Sequence, residues 1–357
     1  MTFTHNSRKR TITWAFATLS FLCIAFFIYD GIFKKAKEVN GGFVAHKGLF
    51  STHKEPLWAV QFSPDGRLIA SAGVDTIVKI QGIDSGQMIQ TLKQPMGITS
   101  LDFSPDGKYI ATASYDEIVR IWDWQANKIV RELKGHIGTI WSVVFSPDGK
   151  QLASSGEDKI VRLWDAGTGT LLKTFKGHTL NIWKVRFTPD GKKLVSSSFD
   201  SDIKIWSIET GSLLQTLDGH TEAVVGLAIS PDGKIIASAS DDCLIMLWDL
   251  ETGKLLRTME GGDEHVYAVA FSPDGKHLLD GNRDKNNAGE LLQNFFGDSD
   301  GMRGVSMRLW DVQTGKLLQT FSEHANDVTD VAFSPDGTWI ASASADKTVR
   351  LWRTTDQ

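Results

Sequence analysis

Residues 135–175, GHIGTIWSVVFSPDGKQLASSGEDKIVRLWDAGTGTLLKTF, decide the fold. Ile140 to Phe145 is an apolar, β-branched run that suits a buried strand. Ser146-Pro147-Asp148-Gly149 is a turn: the fixed φ of proline fits its first corner, and glycine takes the positive φ that follows. Gln151 to Ser155 makes a second strand. Lys159 to Asp165 alternates in and out with period two, as a half-buried third strand must. Ala166-Gly167-Thr168-Gly169 turns the chain again, and Thr170 to Phe175 is the fourth strand. No 3.6-residue pattern supports helices here.

The FSPDG motif at Phe145 recurs. It or a near variant starts at Phe62, Phe103, Phe145, Phe187, Ile229, Phe271 and Phe333, at intervals of 41, 42, 42, 42, 42 and 62 residues. The last interval exceeds the others by 20, so the sixth unit carries an insertion, roughly Arg283 to Gly304. Nineteen residues after an anchor come Trp122, Trp164, Trp206, Trp248 and Trp352; Trp310 follows the insertion, and Gln81 holds the place in the first unit. Four short strands repeated radially make a propeller blade. The expected fold is all-β, a seven-bladed β-propeller of four-stranded antiparallel blades spanning residues 43–357. The chain ends just after the third strand of its last unit, and Phe43 to Phe50 is a strand without a blade. Pairing the two closes the ring and removes an open edge.

These residues resemble the WD-repeat propellers over 314 of 357 residues. Gly135-His136, the FSPDG motif, Asp158 and Leu163-Trp164-Asp165 stand at the family's spacing within one unit. The near-uniform units and TGKLL-type turns resemble bacterial members. The resemblance implies a buried His, Ser/Thr, Asp and Trp tetrad in each blade. Complete sets are His136, Ser154, Asp158, Trp164; His178, Ser196, Asp200, Trp206; His220, Ser238, Asp242, Trp248; and His324, Ser342, Asp346, Trp352. A hydrolase triad is needed once, in a cleft, whereas this constellation recurs at one blade position, so it reads as structure. The first unit has His53, Ser71 and Asp75 with Gln81 for Trp. The second has Gln94 for His beside Thr112, Asp116 and Trp122. The sixth is the most degraded, with Gly262 for His, Asp280 for Ser, and Asp284 cut off from Trp310; it should be the least stable blade.

WD-repeat propellers commonly bind partners on the face that carries the loops entering the first strand and leaving the second. Three positions per blade are often exposed there: four and six before the anchor, and one before the tetrad Asp. The first gives Trp58, Thr99, Trp141, Trp183, Val225, Tyr267 and Thr329. The second includes Asn181, His265 and Asp327, and the third Tyr115, Glu157, Phe199 and Asp241. Trp58, Tyr115, Trp141, Trp183, Phe199 and Tyr267 should therefore ring one face, as aromatic residues of interaction hot spots do. The alternative is that these rings pack the ends of the first strands around the channel. The insertion, with Leu291, Leu292, Phe295 and Phe296, leaves on the same face.

Ahead of the repeats, Ile12 to Tyr29 is free of charge and reaches about 27 Å as a helix, near the ~30 Å apolar core of a bilayer. Arg8, Lys9 and Arg10 precede it; Lys34, Lys35 and Lys37 follow. Residues 1–11 read as a tail, 12–33 as an uncleaved transmembrane signal anchor and 34–42 as a linker. A cleaved signal fits less well, because the apolar run is long and no Ala-x-Ala site follows. The flanking charges nearly balance; the expectation is a single-pass membrane protein with the propeller outside the cytoplasm. A net charge of −5 argues against sequence-independent nucleic-acid binding. Cys23 and Cys243 are the only cysteines, which excludes a cysteine-rich metal site. Asp298-Ser299-Asp300-Gly301 matches part of a calcium loop but lacks the other ligands. No catalytic, cofactor or metal site is expected. The expected function is a non-catalytic scaffold binding a protein or peptide. The alternatives are a structural subunit of a membrane complex and an enzyme with a site in the channel, which fold alone does not exclude.

Overall fold

The computed structural model describes residues 44–260, 264–283 and 306–354. The expected anchor and linker, Gly262, Asp284, the partial calcium loop and nearly all of the insertion lie outside the described residues. Among those described, twenty-eight strands form seven four-stranded antiparallel sheets, as the repeat spacing requires. Blade three consists of strands a (Ile140–Phe145), b (Gln151–Gly156), c (Ile160–Asp165) and d (Leu171–Lys176), within a residue of the expected limits. Strands a of successive blades touch one another, and that of blade seven (Val328–Phe333) touches that of blade one (Leu57–Phe62). The ring is closed.

Its seam is the pairing expected from sequence. Val44–Thr52 lies antiparallel to Thr348–Thr354, with Leu49 opposite Arg350 and Ser51 opposite Val349. The strand runs two residues past Phe50, because pairing continues to Thr52 opposite Thr348 and then to a 2.7 Å bond from His53 N–H to the Lys347 carbonyl. The first blade's predecessor in sequence thus completes the last sheet, which would otherwise present an open edge.

The core lies between the blades. Trp164, Leu152 and Phe145 of blade three pack on Ala111, Val119, Ile121 and Leu133 of blade two. The seam is packed likewise, Leu57, Val60 and Ile69 meeting Ala341, Val349 and Leu351. Each apolar sheet face is buried by its neighbour, so no blade is stable alone.

The anchor turns form a second ring. In blade three, Ser146 Oγ donates to Asp148 Oδ1 at 2.6 Å, and Gly149 N–H closes the turn on the Ser146 carbonyl at 2.8 Å. Gly149 sits at φ +71°, and a Cβ there would lie 3.3 Å from the Pro105 ring of blade two. The same contact joins blade one to blade seven, Gly66 against Pro335.

Strands a share one irregularity. Between Ile140 and Ser142 the register to strand b shifts by a residue, leaving Trp141 unpaired. The shift recurs in all seven blades, at Trp58, Thr99, Trp141, Trp183, Val225, Tyr267 and Thr329. A bulge of this kind breaks the alternation and re-aims the extra side chain. These residues are the positions four before each anchor. Among the described residues, no helix is long and apolar enough to cross a membrane.

Candidate functional site: the aromatic mouth of the channel

The tetrads assemble as frames. In blade three, His136 Nδ1 lies 3.0 Å from Asp158 Oδ2 and Nε2 lies 2.7 Å from Ser154 Oγ, while Trp164 Nε1 donates to Ser154 Oγ at 2.8 Å. The network assigns the tautomer: Nδ1–H donates to the carboxylate, and Nε2 accepts from a serine hydroxyl whose oxygen already holds the indole proton. Asp158 also takes the Ile137 and Ile160 amides, tying the d–a and b–c loops together. His178, Ser196, Asp200 and Trp206, and likewise His220, Ser238, Asp242 and Trp248, repeat the frame. In blade seven, His324 holds Asp346 at 2.8 Å and Ser342 at 2.6 Å, with Trp352 edge-on to its ring. Burial pushes Asp158 up, but hydrogen bonds from His136 and Arg162 outweigh it and leave the carboxyl below its usual range. Burial also lowers His136 and His324 against the pull of their aspartates, keeping the imidazoles neutral. The serines are fully buried, so this His–Ser–Asp geometry meets no substrate.

The degraded blades are repaired in ways the motif does not announce. In blade two, Gln94 Oε1 accepts from Thr112, which in turn accepts from Trp122, while Asp116 is gripped by Arg120 at 2.8 and 3.0 Å. Blade one keeps His53 on Asp75 and Ser71, both at 2.9 Å, and Gln81 reaches the Gly86 carbonyl instead. In blade six, Asp280 takes over the serine's work: Trp310 Nε1 donates to it at 2.8 Å and the Arg308 amide at 2.7 Å. Burial raises that carboxyl to about 6, with Arg308 and Trp310 opposing the rise.

The bulged residues converge at one end of the channel. Trp141 stacks on Trp183 at 4.3 Å between centroids, and Trp183 stacks on Phe199 at 5.2 Å. Trp58 meets both tryptophans edge-on at 6.3 Å, reaching from blade one to blade four, and Tyr115 stands edge-on to Trp141 at 5.9 Å. Five of the six expected aromatics therefore form one cluster across the channel mouth. Tyr267 stands apart beside His265, its hydroxyl donating to Asp327; burial and that carboxylate push the phenol up to about 12.

Two corrections follow. The rings are half-buried against each other rather than standing free, so packing and presentation are combined. Thr99, Val225 and Thr329, at the same position in other blades, are buried; the threonine hydroxyls bond the Ile140 and Leu57 carbonyls of neighbouring blades. Of the remaining positions, Asn181 accepts the Phe199 amide through its carbonyl, Glu157 accepts the Thr139 amide, and Asp241 lies 3.1 Å from His265.

The cluster walls a cavity of about 260 Å³, lined by Trp58, Trp141, Trp183 and Tyr267 together with Lys184 and Asp327. Lys184 Nζ lies 3.9 Å from Asp330 Oδ1, joining blades four and seven across the channel. Sequence reading missed this pair. The signal was available: the residue three before each anchor is Ala59, Ser100, Ser142, Lys184, Gly226, Ala268 or Asp330, so two charges stand among small residues. On strand a of blade two, burial raises Asp102 to about 7, against the Phe145 amide and Arg186. Among the described residues no cluster of His, Cys, Asp and Glu could hold a metal.

The family described as "WD domain, G-beta repeat" matches residues 45–80, 86–123, 127–165, 169–207, 211–249, 253–286 and 315–353. Single stretches of the chain are similar to eukaryotic relatives. WD repeat and SOCS box-containing protein 1 of Homo sapiens is 47% identical over 53 residues, 15% of this chain and 13% of that protein. WD repeat-containing protein 36 of Homo sapiens is 43% identical over 47 residues, 13% of this chain and 5% of that protein. Periodic tryptophan protein 2 homolog of Schizosaccharomyces pombe is 48% identical over 44 residues, 12% of this chain and 5% of that protein. The chain spans 13% or less of those relatives' lengths.

Proposed function

The chain belongs to the WD-repeat family of propellers, and on that premise we propose that it is a non-catalytic docking platform for a protein or peptide, held at a membrane by residues 12–33. The observation that carries the docking reading is the set of bulges that turn Trp58, Trp141 and Trp183 out of their strands and onto the channel mouth. A ring needed only for packing would point into the blade interfaces, where Trp164 and Trp206 already lie. Half-buried, mutually braced indoles suit a hot spot: they offer large apolar area and have little rotamer freedom left to lose on binding. The membrane reading is supported by the charge-free run from Ile12 to Tyr29 between basic flanks. On this reading the chain is a single-pass protein with the propeller outside the cytoplasm, the orientation toward which the nearly balanced basic flanks tip.

The test is affinity capture from gently solubilised membranes with wild type and the double variant Trp141→Ala, Trp183→Ala. Captured partner should fall at least ~10-fold, the loss expected when hot-spot residues are truncated. Because the two rings stack, the variant should also lose some thermal stability while keeping a cooperative transition. Equal capture by a folded double variant would refute the docking reading.

A further inference from the structure

We propose that the cavity at the channel mouth is a carboxylate-binding site, and that its ligand is a partner peptide presenting a carboxylate on an apolar stem. This rests on the docking reading and specifies its chemistry.

The cavity's walls are apolar, but its hydrogen-bonding groups are unbalanced. Lys184 is 7% exposed. Its amine carries three donors, and its nearest carboxylate oxygen, Asp330 Oδ1, stands at 3.9 Å, beyond hydrogen-bond reach. The other oxygen of Asp330 is already committed to the Val60 amide of blade one at 3.1 Å. Independently, the buried Trp141 indole N–H, on the same cavity wall, has no acceptor among the described residues. None of the nearby hydroxyls is in hydrogen-bond contact with it; Thr99 and Thr329 donate to backbone carbonyls, and Tyr267 donates to Asp327. Asp327, on the cavity wall, is engaged by Tyr267.

Burial holds the Lys184 amine below the usual lysine value, with Asp330 opposing this from beyond hydrogen-bond reach, and the Trp141 indole N–H has no acceptor; an anionic ligand that accepts from both favours the charged amine and removes the penalty. A carboxylate does so with charge-assisted bonds. The stem behind it would lie against the faces of Trp58 and Trp183, where an aliphatic or aromatic side chain is desolvated. A cationic ligand would instead face the Lys184 ammonium inside a low-dielectric pocket.

Short N-acetylated peptides ending in phenylalanine, titrated into the detergent-solubilised full chain and followed by tryptophan emission, test this. The free acid should bind at least ~10-fold more tightly than the C-terminal amide, as expected for a charge-assisted bond. An amidated peptide carrying an internal glutamate separates the two sources of the carboxylate: recovery of affinity assigns the site to an acidic side chain, and no recovery assigns it to a chain terminus. Lys184→Met, which keeps the apolar stem of the side chain, should erase the preference for the acid. The double variant Lys184→Met, Asp330→Asn does the same without stranding the Asp330 charge, and serves if the single variant does not fold. Equal binding of acid and amide, no saturable binding by any peptide, tighter binding of an amine-bearing analogue, or an unchanged preference in the folded double variant would overturn the proposal. If these occur while Trp141→Ala, Trp183→Ala still loses the partner, the docking reading stands and only its chemistry is wrong.

Discussion

At the scale of single residues, Ser154 serves two partners at once, taking the Trp164 indole proton and giving its own to His136. Ser154→Ala leaves both unsatisfied in a fully buried site, and should cost about 1–3 kcal/mol in urea unfolding. A change within error would mean that the frame is ornamental. Protons act through the same frames. His136 and His324 sit below their usual value in the folded chain, so the unfolded chain protonates first, and stability falls as pH drops below about 6.5. Asp158, Asp200, Asp242 and Asp346, all held low, deepen the loss below about pH 4. Asp102 acts in the opposite sense. Raised to about 7, it binds its proton more tightly folded than unfolded, and its contribution is lost as pH climbs from about 4 to 7. Asp102→Asn should therefore gain stability relative to wild type between pH 5 and pH 8; a pH-independent difference would contradict this. The tetrads were legible because each member has a fixed offset from its anchor. The Lys184–Asp330 contact was not, because residues 146 apart meet only once the ring closes. Asp280 read as a defect in sequence, whereas buried geometry makes it the acceptor for Trp310.

At the scale of elements, strand limits came within two residues of their reading because turns fix them. Gly149 shows why: its left-handed φ disfavours a side chain, and a Cβ there would press on the Pro105 ring at 3.3 Å. Gly149→Ala should cost about 1–2 kcal/mol from backbone conformation alone, read from the shift in urea midpoint. The bulges were not legible. Strict alternation would have sent Trp141 to a sheet face, and the extra residue that re-aims it leaves no mark in composition. Hence family spacing brought these positions to one end of the channel in the sequence reading, but their exposure was misjudged. Thr99 and Thr329 share Trp141's register yet spend their hydroxyls bridging blades.

At the scale of the whole molecule, the aromatic mouth depends on closure. Trp58 reaches Trp183, and Lys184 reaches Asp330, only because blade one is bound to blade seven through Val44–Thr52. A chain lacking residues 1–52 should lose cooperative unfolding and associate through the uncovered edge of Thr348–Thr354, visible by light scattering. A monodisperse, equally stable truncation would show that the seam is dispensable. The most direct test of the docking claim is site-specific photocrosslinking in intact membranes. A photoreactive residue in place of Thr139, on the loop entering strand a of blade three, should give a discrete protein adduct. One in place of Lys150, at the anchor-turn end of the same blade, should give none. An adduct from Lys150 and none from Thr139 would place the partner at the opposite end of the channel and contradict the account.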